Sequence, residues 1–334
     1  MVTFKIVDTT SLLDRFLNDA IPEYENFESK SLAEPDFVVY LGDFTPSNQC
    51  CYILDDRHYV KKNYLYCEEE SYKLAKWKVQ ISGFEENPLV MHISTNVFGN
   101  MFLSPLINCL LDFKLNEKGY SLVHASCVGK NGGGYLFAAR SGAGKTITAL
   151  HFIEKGLDFL GDNFVILRDG EVLSFLSPLN IFSYNLAPVI KRNLEVKHKL
   201  ILNVKNLLYI ATGGYVKLFT KLNPKDLFPD SLVDRCKLKM AFLLMPGEET
   251  RLQRIDKEEL VDHLVLNQGF EWLPLLANVL EYSYMFPGNN LSNHWEKYKE
   301  NLRKNLTGDI SFCKVEMSQA FDKRLLEETL PVAG

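Results

Sequence analysis

Residue types that can hold phosphate groups occur together in the middle of the chain. Glycines there allow a tight loop whose backbone N–H groups face phosphate oxygens, a lysine ammonium reaches the outer phosphates, and a threonine hydroxyl can bind Mg²⁺. The loop consists of Ser141, Gly142, Ala143, Gly144, Lys145 and Thr146. This pattern predicts a site for a nucleoside triphosphate and Mg²⁺.

Such a loop requires a strand before it and a helix after it, because the helix N-terminus contributes to anion binding. The run Tyr135 to Ala138 is short and apolar, as is typical of a strand, and Ile147, Leu150 and Ile153 follow the loop at helical spacing. The usual pattern begins with glycine, and that position is Ala139 here. A chance glycine turn is the competing interpretation, but the flanking strand and helix favour the phosphate loop.

Two further residues have chemistry that suits phosphoryl transfer. Asp162 follows the next apolar run and lies seventeen residues after Lys145. A carboxylate can bind the metal that bridges the phosphates or accept the proton of the attacking hydroxyl, although a plain turn aspartate is the alternative. His124 lies on a strand-like segment that a glycine turn joins to the strand before the loop. It is predicted to lie beside the phosphate site, with a simple packing role as the alternative.

Composition limits the possible partners. The chain has 334 residues, a formal net charge of -5 and a pI of about 5.9, so it lacks the basic character of a nucleic-acid-binding protein. Its apolar runs are shorter than a membrane span, so we expect no membrane partner and a cytoplasmic location. Its seven cysteines are scattered without the spacing of a zinc site, which predicts reduced thiols.

The length predicts two domains. Short aromatic-rich runs separated by turn residues dominate the first hundred residues, which predicts a small β-rich domain at 1–98. Alternating strand-like and helical patterns follow, which predicts that 99–334 form the nucleotide-binding domain. The expected fold class is therefore α/β, or α+β when the N-terminal domain is included.

The order and spacing of His124, the loop from Ser141 to Thr146 and Asp162 resemble the HPr kinase/phosphorylase family. The resemblance implies a phosphate-loop domain related in fold to ATP-dependent phosphoenolpyruvate carboxykinase. It also implies transfer of the γ-phosphoryl group of ATP to a serine hydroxyl. Lys145 would bind the β and γ phosphates, Thr146 would meet Mg²⁺, Asp162 would be the catalytic base, and His124 would support the acid-base network.

Two departures separate this chain from that family. The second of the family's two adjacent aspartates is Asn163 here, whose amide oxygen can still join Thr146 and Asp162 as a metal ligand but cannot act as a base. The family's second signature, rich in glycine and arginine, is not found in the sequence. The resemblance therefore predicts a divergent kinase whose acceptor is a hydroxyl-bearing peptide, protein or metabolite, and leaves a homo-oligomer possible. A nucleotide-binding regulatory or scaffold module that has lost turnover is the alternative, and a decarboxylating carboxykinase ranks third.

Overall fold

A computed structural model describes residues 1–9, 23–29, 34–71, 74–182, 188–212, 219–317 and 324–330. The chain is mixed α/β and divides into two compact units. One unit comprises Met1–Ser121 and Gln268–Asn301, and the other comprises Leu122–Asn267 and Leu302–Gly334.

The elements are numbered in chain order. The strands are β1 Phe4–Asp8, β2 Phe37–Leu41, β3 Tyr52–Asp55, β4 His58–Lys61, β5 Tyr64–Ser71, β6 Ala75–Ser82, β7 Leu89–Thr95, β8 Ser121–Val123, β9 Ala125–Lys130, β10 Gly133–Ala138, β11 Asp158–Gly161, β12 Val165–Arg168, β13 Glu171–Leu173, β14 Leu179–Phe182, β15 Phe219–Leu222, β16 Arg235–Pro246, β17 Arg251–Arg254 and β18 Ser311–Met317. The α-helices are α1 Leu103–Glu117, α2 Lys145–Glu154, α3 Pro188–Asn193, α4 Val196–Ala211, α5 Pro224–Leu227, α6 Lys257–Glu271, α7 Leu273–Met285, α8 His294–Asn305 and α9 Arg324–Glu327.

The first unit contains a seven-stranded sheet in the order β1-β2-β7-β6-β5-β4-β3. The units differ from the division expected at residues 98 and 99, because α1 and residues 268–301 belong with this sheet. The buried carboxylate of Asp112, on α1, accepts a hydrogen bond from Trp272 Nε1 at 2.7 Å. Asn116 Nδ2, one turn further along α1, donates to the backbone oxygen of His294 at 2.9 Å. Buried polar groups need such partners, so these bonds hold the late helical segment in the first unit.

The second unit is built on a nine-stranded sheet whose main path is β11-β9-β10-β16-β13-β12-β8. Strand β10 pairs in parallel with β16 and antiparallel with β9, and β18 extends the sheet beside β16. Helix α2 packs on this sheet, where the ring of Phe137 stacks on Phe152 and Phe242 with centroids 5.7 and 5.4 Å apart. Leu150 and Ile153 are buried as the helical spacing predicted, whereas Ile147 is 41% exposed.

Smaller elements complete the second unit. Strands β14 and β15 form a two-stranded sheet, and Ile190, Leu194 and Leu202 of the α3–α4 region join the same apolar core as helix α2. All seven cysteines are free, as the sequence predicted. Within the part of the chain that the structure describes, no helix is both long enough and apolar enough to cross a lipid bilayer.

Gly161 ends β11 at a place where no side chain fits. The register between β11 and β9 shifts between Phe159 and Gly161. A Cβ atom at Gly161 would lie 2.6 Å from the carbonyl oxygen of Phe164 and 2.9 Å from Cγ1 of Val165. The close approach therefore sets the path of the chain directly before Asp162.

We expect Gly161→Ala to lower the free energy of unfolding by about 1–3 kcal/mol, the usual range for overpacking a filled interior. Gly269→Ala is the matched control, because Gly269 lies in helix α6 and a Cβ there meets nothing within 4 Å. The control should raise stability by about 0.5–1 kcal/mol through its helix propensity. Urea unfolding of both variants measures the two effects, and equal stabilities would contradict the packing argument.

Candidate active site

The loop between β10 and α2 makes two left-handed turns directly before the helix begins. Gly142 and Gly144 have φ values of +86° and +90°, a left-handed region that glycine enters without strain. Ala143 N–H donates to the carbonyl of Arg140 at 3.1 Å, which closes the turn, and α2 then begins at Lys145. Free N–H groups at a helix N-terminus, together with left-handed turns, form an anion-binding concavity.

The carboxylate of Asp162 lies directly beside this loop. Thr146 Oγ1, in the first turn of α2, donates a hydrogen bond to Asp162 Oδ2 at 2.8 Å. The hydroxyl of Ser126, on β9, donates to the other carboxylate oxygen, and Asp162 is only 2% exposed. Each carboxylate oxygen is thus tied to a hydroxyl from a different element, so its position is set from two sides.

Sheet order explains how these groups meet. Strand β9 lies between β10 and β11, so the strand that leads to Asp162 is one place removed from the strand that leads into the loop. Ser126 bridges this gap from β9, where it pairs with Phe137 of β10. The Ser177 hydroxyl also donates to the backbone oxygen of Asp162, at 3.3 Å. The turn that carries Asp162 is consequently held by side chains on both flanks.

Lys145 points back into its own loop. Its Nζ donates to the carbonyl oxygen of Ala139 at 2.8 Å, and the side chain is 6% exposed. Asn267 Nδ2, from α6, donates to the same oxygen at 3.3 Å and to the backbone oxygen of His124 at 3.0 Å. The carbonyl of Ala139 thus accepts hydrogen bonds from two side chains, Lys145 and Asn267.

His124 and Asn163 lie close to this centre along the chain. His124 is buried directly before β9, and its ring packs against that of Phe164 with centroids 5.5 Å apart. Asn163 is half-buried and has a φ of +69°, so the chain turns sharply after Asp162. The catalytic role of His124 and the metal-binding role of Asn163 stay predictions.

Sequence reasoning missed the residues that hold the predicted ones in place. Ser126 lies two positions after His124, and strand alternation, which puts residues i and i+2 on one face, was the signal that could have found it. Asn267 is 143 residues from His124 and 128 from Ala139, so the local pattern carried no signal for it.

The residues present fit a magnesium nucleotide. Thr146 and Asp162 offer a hydroxyl and a carboxylate oxygen 2.8 Å apart, and Mg²⁺ prefers oxygen donors of this kind. Among the residues that the structure describes, no group of three or more histidine, cysteine, aspartate or glutamate side chains could hold a metal ion.

Cys127 follows Ser126 in strand β9. Burial raises the pKa of its thiol, which keeps the thiol in the protonated form.

We expect Asn267→Leu to lower the free energy of unfolding by about 1–3 kcal/mol, because it leaves the buried carbonyl of His124 without this donor. The matched control is Asn290→Leu, since Asn290 is exposed and its amide donates to Glu117 in an exposed hydrogen bond. Its stability should change by less than about 0.5 kcal/mol. Chemical denaturation measures the stability of both variants. A wild-type stability for Asn267→Leu would contradict a stabilising role for the hydrogen bonds of Asn267.

Comparisons with known proteins identify no family for the chain. No family model matches it, and no curated protein does. Among solved structures, the chain is similar to the Hpr(Ser) kinase/phosphatase from Coxiella burnetii, with 13% sequence identity and a TM-score of 0.23. The match covers 50% of this chain and 99% of the other.

Proposed function

We propose that the protein is an ATP-dependent kinase that transfers the γ-phosphoryl group to a hydroxyl. The hydrogen bond of 2.8 Å between Thr146 Oγ1 and Asp162 Oδ2 carries this proposal. It joins the end of a phosphate-type loop to a buried carboxylate, and phosphoryl transfer needs both at one place.

The loop supplies the nucleotide site. Backbone N–H groups from Ser141 to Thr146 and the N-terminus of α2 surround the β and γ phosphates, and Lys145 leaves the carbonyl of Ala139 to neutralise their charge. Thr146 and Asp162, with Asn163 beside them, would hold the metal. When bound, Mg²⁺ withdraws charge from the phosphate oxygens as the transition state forms.

Asp162 is the base in this proposal. Each carboxylate oxygen has two lone pairs, so bonds from Thr146 and Ser126 leave acceptor capacity for the proton of an incoming hydroxyl. As that proton moves to Asp162, the acceptor oxygen bonds to the γ phosphorus, the bond from phosphorus to the β–γ bridging oxygen breaks, and ADP leaves. Ser126 fixes the angle of the carboxylate, and His124, directly before the strand that carries Ser126, takes part in the acid-base network of this proposal.

The acceptor is a serine or threonine of a peptide or protein, or a small hydroxyl compound. A phosphoryl group passing through a loose transition state requires little covalent chemistry from the protein, so positioning dominates the rate. The acceptor hydroxyl must therefore approach from the side of the loop that Asp162 occupies. The specificity for the acceptor then depends on the residues along the path of the incoming hydroxyl and not on the loop itself.

We expect Asp162→Asn to reduce transfer at least about 100-fold, because general-base catalysis typically contributes 10²–10⁴. The measurement is release of ADP and phosphorylated acceptor, with serine-containing peptides and small hydroxyl compounds as candidates. Asp169→Asn is the matched control, since Asp169 lies in an exposed turn with a φ of +49° that asparagine also accepts. It should transfer at the wild-type rate.

Two results would contradict the proposal. Transfer at the wild-type rate by Asp162→Asn would remove Asp162 as the base. Nucleotide binding by the wild-type protein without transfer to any acceptor would instead favour a regulatory or scaffold module. Two sequence differences motivate that alternative: Ala139 in place of the usual glycine, and Asn163 in place of the second aspartate.

A further inference from the structure

Helix α4 turns its aliphatic side toward solvent. Val196, Leu200, Val204 and Leu207 are 81%, 65%, 51% and 66% exposed. At about 3.6 residues per turn these four side chains fall on one side of the helix. Asn203 is also exposed on that side. We call Val196, Leu200, Val204 and Leu207 the aliphatic face.

The opposite side of α4 holds the helix to the second unit. Leu202 is buried in the core of that unit. Lys205 Nζ donates to the backbone oxygen of Phe219 at 2.5 Å and to Thr220 Oγ1 at 3.2 Å. A surface helix usually has the reverse arrangement, with apolar side chains toward the core and lysines toward water. The exposed apolar patch therefore has the character of a binding surface.

The region around α4 is strongly basic. Between Glu171 and Asp226 the sequence has eight lysines and arginines and one acidic residue, Glu195. The formal charge of this region is therefore +7, whereas that of the whole chain is -5. Such a separation of charge favours an anionic partner for the region.

Exposed cations flank the aliphatic face. Lys197 and Lys199 lie on its opposite edges, because two residues along a helix are about 200° apart around it. Glu195 is exposed directly before the helix, and its carboxylate lies 3.9 Å from His198 Nδ1. This one carboxylate stands against four exposed cations on α3 and α4, which are Lys191, Arg192, Lys197 and Lys199. The N-terminal end of α4 therefore stays positive.

The composition of this surface distinguishes between classes of anionic partner. Nucleic acids are bound by cations together with polar or aromatic side chains, so exposed aliphatic side chains add nothing to such binding. Protein interfaces rely on tryptophan, tyrosine and arginine anchors, whereas leucine and valine are under-represented among their hot spots. An anionic membrane offers phosphates to the lysines and hydrocarbon to the aliphatic side chains. The combination of valine, leucine and lysine thus favours lipid.

We propose that α4 binds the surface of membranes that contain anionic phospholipid. The helix has 16 residues, or about 24 Å, and lies along the surface with its aliphatic face about 5–10 Å deep at the boundary of headgroups and acyl chains. Lys197 and Lys199 extend from the two edges to the lipid phosphates.

This mode of binding differs from membrane insertion. A helix that lies along the surface does not cross the bilayer, so the short apolar runs that led us to expect no membrane partner do not bear on it. The surface belongs to the second unit alone. The inference does not depend on the kinase proposal.

Co-sedimentation of the full chain with lipid vesicles tests the proposal. We expect binding to vesicles of phosphatidylcholine with about 30% phosphatidylserine, weaker binding to phosphatidylcholine alone, and loss of the difference as salt concentration rises. Lys197→Glu/Lys199→Glu should lower the partition coefficient at least about tenfold, because each lysine near an anionic surface contributes to binding. Glu195→Gln should raise it about twofold to fivefold by removing the opposing charge.

A tryptophan on the aliphatic face separates insertion from adsorption by charge alone. Leu207→Trp should shift its emission to the blue on binding, and acyl chains that carry bromine should quench it. Leu74→Trp is the matched control, because Leu74 is 58% exposed and lies in the first unit. Its emission should stay unquenched.

Controls separate lipid binding from misfolding. Leu200→Asp should lower the partition coefficient at least about tenfold, whereas Leu74→Asp should leave it unchanged. Lys62→Glu/Lys297→Glu makes the same change in net charge at two exposed lysines of the first unit, and should lower the coefficient less than about threefold. Circular dichroism should show the same fold for all variants.

Four results would overturn the proposal. The first is a wild-type protein that fails to bind anionic vesicles at low salt. The second is unchanged binding by Lys197→Glu/Lys199→Glu and by Leu200→Asp. The third is bound Leu207→Trp that bromine does not quench, which would mean adsorption by charge alone. The fourth is self-association without lipid that Leu200→Asp removes, which would assign the aliphatic face to a protein contact.

Discussion

The candidate site depends on one carboxylate that two hydroxyls hold in place. Asp162 is almost fully buried, and a buried polar side chain is stable only when hydrogen bonds replace the lost water. Thr146 and Ser126 provide those bonds from helix α2 and strand β9. Because Thr146 also lies in the glycine loop, the group that stabilises the carboxylate is, in the proposed function, the group that would face the nucleotide.

The surrounding structure serves this arrangement. The stacked rings of Phe137, Phe152 and Phe242 set α2 against the central strands, and this fixes the height of Thr146 above the sheet. Gly161 lets the chain pass close to Phe164, which brings the next residue toward α2. Asn267 ties the ends of β9 and β10 together at the base of the loop. Aromatic packing, the backbone path at Gly161 and the hydrogen bonds of Asn267 thus together set the positions of Thr146 and Asp162.

The sequence allowed prediction of the local parts of this site. The glycines, Lys145 and Thr146 lie within six residues, and the strand and helix beside them have clear apolar periods, so backbone geometry follows from adjacent residues. Asp162 could be predicted for the same reason, since one helix and one strand separate it from the loop in the sequence. The mixed α/β class also followed from the alternation of strand and helix patterns.

Other features required tertiary structure. Asn267 reaches the loop from a helix more than a hundred residues away, and a single sequence carries no signal of such pairing. Residues 268–301 join the first unit because Trp272 and His294 bond with helix α1, which no local pattern indicates. Ile147 has the helical spacing of a core residue but remains exposed, because periodicity gives the side of a helix and not the width of its contact.

Equilibrium binding of ATP with and without Mg²⁺, in wild type and Thr146→Ala, tests the central claim most directly. The account predicts that Mg²⁺ tightens ATP binding to the wild-type protein at least about tenfold, and that Thr146→Ala loses this gain while still binding ATP through the loop. Equal affinity with and without the metal in the wild type, or full retention of the gain in Thr146→Ala, would contradict it.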